Sequence, residues 1–264
     1  MPAFKDHSVG SRTKLLICGD SGSGKTASLA SLANAGYNLR IADFDDGLDV
    51  LGDYLNKTAV SNVHYVTLRD TLKSATAFNS FIKLVDNWED GEFKFGPVKE
   101  WTEKDVLIVD SLTFLGASSM RSVLQRDGKR FTDQPGIHHW GEAGRNLENI
   151  VQYLTSNEVK CNVVFTSHVS YYEDAGGGRK AYPVALGSKL PTIIGRYFNT
   201  VLRIDVKPSK EGGTRILRTA SDYKMDLKTP APSQIPVDAE LDLAKIFKGI
   251  QDNSKKGIVS EKNG

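Results

Sequence analysis

Residues 17–28 read ICGDSGSGKTAS, with Gly19, Gly24, Lys25 and Thr26 in the order Gly-x4-Gly-Lys-Thr. That spacing suits an anion. Glycines let successive backbone N–H groups turn inward, and a helix N-terminus adds partial positive charge at the same point. The expected cradle comprises Gly19, Asp20, Ser21, Gly22, Ser23, Gly24, Lys25, Thr26 and Ala27. Lys25 would reach the β and γ phosphates of a bound nucleotide, and the Thr26 hydroxyl would hold Mg²⁺.

Three further groups could serve such a loop. DVLIVDSLT (105–113) is an apolar run ending in Asp110; a carboxylate at the carboxyl end of a strand lies where open α/β sheets bind ligands, so Asp110 would join the metal shell. The same pattern also caps helices, and Ser111 could fill that role. IADFDDGLD (41–49) places Asp43, Asp45 and Asp46 at a strand end. Alternation puts Asp43 and Asp45 on one side, where either could position or deprotonate a water. The alternative is an acidic turn closed by Asx bonds, with Gly47 at positive φ. His168 ends NVVFTSH (162–168), where it could sense a γ phosphate by hydrogen bonding or be merely structural.

These residues need strands to hold them. TKLLIC (13–18), NLRIADF (38–44), HYVTL (64–68), DVLIVD (105–110), NVVFTSH and NTVLRIDV (199–206) read as strands, with TRILRT (214–219) as a partner of the last. Helix patterns follow the glycine loop up to Gly36 and cover 70–88, 112–126 and 141–157, the last with Leu147, Ile150, Val151 and Leu154 at helical spacing. Strands alternating with helices predict an α/β fold: a mostly parallel twisted sheet, helices on both faces, and an antiparallel edge from the closely spaced last strands. Segments 89–104, 127–139 and 171–189 read as long loops; Trp88 and Trp101, flanking the first, would seal a core edge.

The chain has 264 residues, 39% hydrophobic and 25% charged, which describes a globular protein with one main domain. Its opening residues lack the apolar stretch of a signal peptide and no apolar run spans a bilayer, so a cytoplasmic location and no membrane partner are expected. Cys18 and Cys161 fall in or beside core strands and read as small buried hydrophobes. Net charge is +2, but residues 169–228 carry 11 Lys and Arg against 6 Asp and Glu, so a polyanion partner is open there. The expected division is an arm at 1–11, a core at 12–228, and at 229–264 a proline-rich linker, a short helix at 238–250 and a polar tail.

Taken in order, GDSGSGKT, IADFDDGLD, DVLIVDSLT and NVVFTSH resemble the RecA/KaiC-type P-loop ATPase core. HWGEAGRNLENIVQYL (139–154), the TSH strand end and GSKLPTIIGRYFNTVLRI (187–204) are similar to compact RecA-like ATPases of bacteriophages that act as single-strand annealing recombination proteins. The resemblance covers most of 12–230 and implies ATP and Mg²⁺ as cofactors. It also implies a homo-oligomeric ring or filament, with ATP between subunits and a basic side chain completing each site in trans. The finger region of that family falls on SDYKMDLK (221–228), which makes Lys224 and Lys228 the candidates, with a solvated turn as the alternative. The catalytic position falls on Asp45, where RecA has Glu.

In RecA a mobile DNA-contacting loop follows the sensor strand, and here SYYEDAGGGRKAYPVALGSK (170–189) occupies that place. Tyr171, Tyr172 and Tyr182 could stack on bases, Arg179, Lys180 and Lys189 could neutralise phosphate, and Gly176, Gly177 and Gly178 would let the loop order on binding. The alternative is a β-hairpin with a glycine turn whose tyrosines pack across strands. The expected function is therefore an ATPase, with Lys25, Asp45 and His168 catalytic, that binds single-stranded DNA and promotes annealing in phage DNA metabolism, in the host bacterial cytoplasm. A single-strand-binding protein could meet the tail. The rivals are a KaiC-like module that assembles with protein partners without DNA, and a small nucleotide kinase.

Overall fold

The computed structural model describes residues 10–173, 177–208 and 213–255. In chain order its strands and helices are β1 (Lys14–Cys18), α1 (Lys25–Ser28), α2 (Ala30–Asn34), β2 (Asn38–Asp43), β3 (Val63–Thr67), α3 (Ala77–Asp86), β4 (Trp88–Asp90), β5 (Phe93–Gly96), β6 (Asp105–Asp110), α4 (Leu112–Arg126), α5 (Ile137–Thr155) and β7 (Asn162–Ser167). Then follow β8 (Val169–Glu173), β9 (Arg179–Pro183), α6 (Leu190–Ile193), β10 (Thr200–Lys207), β11 (Thr214–Arg218), β12 (Asp238–Glu240) and α7 (Leu243–Lys255).

Eight strands form one sheet in the order β12-β11-β10-β1-β7-β6-β2-β3. From β10 to β3 every neighbour pair is parallel, and β11 and β12 add the antiparallel edge. The central strands are buried on both faces, as their unbroken apolar runs require. Alternation divides them cleanly. Leu16, Cys18, Leu107, Val109, Val163 and Phe165 face the core under α3, α4 and α5, whereas Leu15, Ile17, Val106, Ile108 and Val164 face the core under α2 and α7. Both cysteines are free and buried, and burial pushes the Cys18 thiol up to about 12 and Cys161 to about 11, so each packs as a neutral apolar group.

The ends of several elements differ from the sequence reading. The helix after the glycine loop breaks at Leu29 into α1 and α2, and Gly36, at φ 85°, closes it. Helix α3 begins at Ala77, not 70, because the Asp70 carboxylate accepts the Ala77 N–H (2.9 Å) and Thr71 bridges Ser74 in a tight turn. Helix α5 begins at Ile137, inside the expected 127–139 loop, and buries His139 and Ala143 ahead of the predicted Leu147, Ile150, Val151 and Leu154. Within 89–104, β4 and β5 form a small hairpin over the Trp88–Trp101 pair, which is buried with rings 5.5 Å apart.

The largest difference lies after 228. The segment expected as linker and short helix enters the main fold: β12 pairs with β11, and Ala231, Ile235, Leu243, Ile246, Phe247 and Ile250 join the core. The last four recur at helical spacing and seat α7 against α2, where the Leu243 N–H donates to Ser31 Oγ (2.9 Å). The helix starts at Leu243, since 238–240 are spent on the strand. The polar tail beyond 255 and residues 1–9 of the expected arm lie outside the described residues. Among the described residues, no helix is long and apolar enough to cross a membrane.

Candidate functional site

The glycine loop leaves β1 and enters α1 as the motif predicts. A Cβ on Gly19 would come 2.5 Å from Ser23 Oγ, and Gly24 holds φ 101°, so both positions need glycine. Lys25 is 93% buried by its own loop, its Nζ donating to the carbonyls of Gly19 and Asp20 at 3.0 Å each. Burial lowers its pKa, opposed by the nearby charges of Asp110 and Asp45.

β7 sits between β1 and β6, and this order places Asp110 beneath the loop. The Thr26 hydroxyl donates to Asp110 Oδ2 at 2.8 Å, and the Thr166 hydroxyl of β7 donates to Oδ1. Across a cis Asp110–Ser111 peptide, Ser111 Oγ donates to Asp45 Oδ1 at 2.9 Å. Thus Ser111, the candidate helix cap, makes no side-chain cap bond and holds a second carboxylate instead.

The three acidic residues after β2 separate by role. Asp43 is buried and accepts the N–H groups of Asp45 (3.1 Å) and Asp46 (2.8 Å), the Asx turn weighed in the sequence. Its carboxylate is therefore occupied by backbone. The strand ends at Asp43, so alternation does not reach Asp45, which turns into the cleft. The positive φ expected at Gly47 falls on Asp46 (58°), while Gly47 stands at −124°. Burial, with Asp110 and Asp43 nearby, pushes the Asp45 carboxyl up to about 6, although the Ser111 hydrogen bond and Lys25 oppose it.

A cleft of about 540 Å³ opens over the loop, lined by Ser21, Gly22, Gly24, Lys25, Thr26, Ala27, Asp45 and His168 among the predicted residues. His168 stands just past β7, its ring edge-on to Phe114; burial first, then Lys25, lowers its pKa, which favours the neutral imidazole. Val50, Tyr54, Arg215 and Leu241 also line this cleft. The sequence reading missed all four. Arg215 comes from antiparallel β11, packs beside Gly24 and donates from Nη2 to the Gly22 carbonyl (3.4 Å). No motif marks it, because its place depends on how the sheet edge folds back.

The 170–189 segment is the β8–β9 hairpin, with Tyr172 and Tyr182 in edge-to-face contact across it at 5.7 Å. Lys180 pairs with Asp226 at 2.8 Å, and Lys189 is exposed ahead of α6. Tyr171 reaches the phosphate loop, its hydroxyl donating to Asp20 Oδ2 at 3.3 Å, and Arg179 lies over the same ring. Gly176 lies outside the described residues. Lys224 and Lys228 are exposed; Lys224 Nζ lies over the Tyr223 ring, and Lys228 Nζ donates to the Arg196 carbonyl (3.3 Å). Neither lysine lines the cleft over the loop.

A mostly parallel α/β sheet, a glycine loop running into a helix, and a buried carboxylate under its threonine define a P-loop ATPase class of domain. The chain belongs to a family described as AAA domains, whose model matches residues 11–231. Its fold is similar to the crystal structure of the RadB recombinase, at 16% identity over 80% of this chain and 81% of that chain, with a TM-score of 0.42. It is also similar to the flagellar accessory protein FlaH from Methanocaldococcus jannaschii, at 16% identity over 81% and 79% of the two chains, with a TM-score of 0.38. No curated protein matches the sequence.

Proposed function

We propose that the protein binds and hydrolyses ATP with Mg²⁺ in the cleft over residues 19–26, assembles with copies of itself, and binds single-stranded DNA. In this reading it is a RecA-like protein of the single-strand annealing type, acting in the recombination of a phage genome. The observation that carries the ATPase half is the Thr26–Asp110 contact at 2.8 Å with Asp45 held beside it by Ser111. These hard oxygen donors fit Mg²⁺, which takes carboxylate, hydroxyl and water oxygens together with substrate phosphates. When bound there it neutralises charge building on the β and γ oxygens.

The chain's own groups divide the remaining work. Backbone N–H groups of residues 19–26 orient the phosphates, and Lys25 exchanges its two loop carbonyls for phosphate oxygens. Asp45, fixed through Ser111 and ionised at neutral pH, orients a water and accepts its proton. Neutral His168 donates a hydrogen bond near the γ phosphate. The Tyr171–Asp20 contact ties the phosphate loop to the hairpin and supports a coupled nucleotide and DNA site.

The test is phosphate release from ATP with and without single-stranded DNA, with Lys25→Ala as the control for contaminating activity. A Lys25-dependent rate raised by DNA is expected. A Lys25-dependent rate indifferent to DNA, with no DNA bound, would remove the recombination half and leave an ATPase that serves protein partners.

A further inference from the structure

Three segments far apart in sequence meet beside the phosphate loop: the β8–β9 hairpin, β10, and the turn after β11. They enclose a pocket of about 300 Å³ lined by Tyr171, Arg179, Arg203, Tyr223 and Lys224. Three cations and two phenol rings thus face one small space, and no lining residue is acidic.

Arg203 is the unusual member. Its side chain is 93% buried, and it pairs with Asp205 through Nε and Nη2, at 2.6 Å. Asp205 is shared with Arg218 at 3.1 Å, so one carboxylate serves two guanidinium groups. Among the described residues, Arg203 Nη1 is buried and has no hydrogen-bond acceptor. A buried charged donor left without a partner is costly, and a ligand oxygen is the ordinary remedy. Arg179 lies over the Tyr171 ring (5.8 Å) and Lys224 over the Tyr223 ring (5.6 Å), so each cation at the mouth sits on a flat aromatic surface. Tyr223 is 81% exposed, which leaves its ring free to receive a planar group. Register places Arg203 opposite Cys18, one residue before the phosphate loop, yet the pocket shares no lining residue with the cleft over that loop.

We infer that this pocket is a second phosphate site, in which Arg203, Arg179 and Lys224 hold the anion and the Tyr171 and Tyr223 rings flank an attached base. The chemistry is that of one nucleotide unit, which a single strand or a free nucleotide can supply. The choice of a strand rests on the DNA reading above, and stacking with phosphate neutralisation is how single strands are held without sequence preference.

Two measurements on the full chain separate these sources. The first is ³¹P line broadening of inorganic phosphate by the Lys25→Ala protein, in which the phosphate loop is disabled. Broadening is expected, and it should fall to the baseline when Arg179→Ala and Lys224→Ala are added; both residues are exposed, and matched melting curves check the fold. Undiminished broadening in the triple variant overturns the site. The second is fluorescence anisotropy of labelled dT20 with the otherwise unaltered chain. The Arg179→Ala/Lys224→Ala pair should weaken binding at least tenfold and reduce the salt slope by about 2, one for each lost phosphate contact. Equal affinity for the pair excludes a strand as the source of phosphate in this pocket. If dT20 does not bind at all while the phosphate signal depends on Arg179 and Lys224, the pocket stands as a site for a small phosphate ligand and the DNA reading falls.

Discussion

The Thr26 hydroxyl donates to Asp110 Oδ2 at 2.8 Å, joining two residues 84 positions apart directly beneath the glycine loop. Neither group can move without the other, so each fixes the geometry of the proposed metal shell. Thr26→Ala and Asp110→Asn are expected to lower the ATP hydrolysis rate roughly 10²–10³-fold, the range found when a positioned charge-stabilising group is removed. Steady-state phosphate release across a Mg²⁺ titration checks this, and a rate restored to normal by excess Mg²⁺ in Thr26→Ala would reduce its role to affinity alone.

Asp45 gives the hydrolysis a pH dependence. Its carboxyl is raised to about 6 and must be ionised to accept a proton, so the rate should rise as pH increases through about 6 and level off above 7. Asp45→Asn should lose the rate roughly 10²–10⁴-fold.

The same shift predicts the opposite sign for stability. A carboxyl whose pKa is higher in the folded state binds its proton more tightly there, so its contribution to stability falls as pH rises from about 4, the unfolded value, to about 6. Asp45→Asn removes that penalty, and its melting temperature at pH 7 should exceed that of the parent chain. The gain should be roughly 2–4 °C, the response of a domain this size to about 1 kcal/mol. A melting scan at pH 4 and pH 7 decides it, since the gain should vanish at the lower pH.

Arg215 overhangs Gly22 and Gly24 from the sheet edge. Arg215→Ala should weaken ATP binding about tenfold, the loss of one charge-assisted contact, without lowering the melting temperature of the protein alone. Fluorescent-nucleotide titration would show it.

Tyr171 is the hinge between the hairpin and the loop. Tyr171→Phe keeps the ring and removes only the hydroxyl that bonds Asp20. DNA affinity and the basal ATPase rate should survive, whereas stimulation of hydrolysis by DNA should disappear. Stimulation that persists in this variant would route the coupling elsewhere.

The last helix offers a check on packing. Phe247 is fully buried among Leu243, Ile246 and Ile250, and Phe247→Ala should cost about 3–5 kcal/mol. A melting temperature lowered by roughly 10 °C or more is expected, because the helix belongs to the core and not to a tethered tail.

What the sequence made legible follows from how local the signals are. The strand, glycine loop and helix around 14–34 carry their own geometry, and the apolar runs at 105–110 and 162–167 announce buried parallel strands. Leu147, Ile150, Val151 and Leu154 disclosed the face of α5. The roles of Asp43 and Asp45 were open because they depend on where β2 ends, and hydrogen-bond capture of the chain by Asp43 decides that in three dimensions. Arg215 and Leu241 stayed hidden because a side chain on a returning edge strand meets the cleft only after two antiparallel crossings. The short polar DAE of β12 has no strand signature; pairing with β11 imposes one.

The position of β1 bears on how the protein is made. Its two sheet neighbours are β7 and β10, so the strand that begins the phosphate loop has no backbone partner until about 145 further residues have been synthesised. At 5–20 residues per second that interval is roughly 7–30 s. During it the segment LLIC is an unpaired apolar strand, and it sits just ahead of a loop that cannot hold its shape without it. Nucleotide competence should therefore arrive late on the ribosome and abruptly, when the ninth-to-last element of the chain finally gives the first one something to lean on.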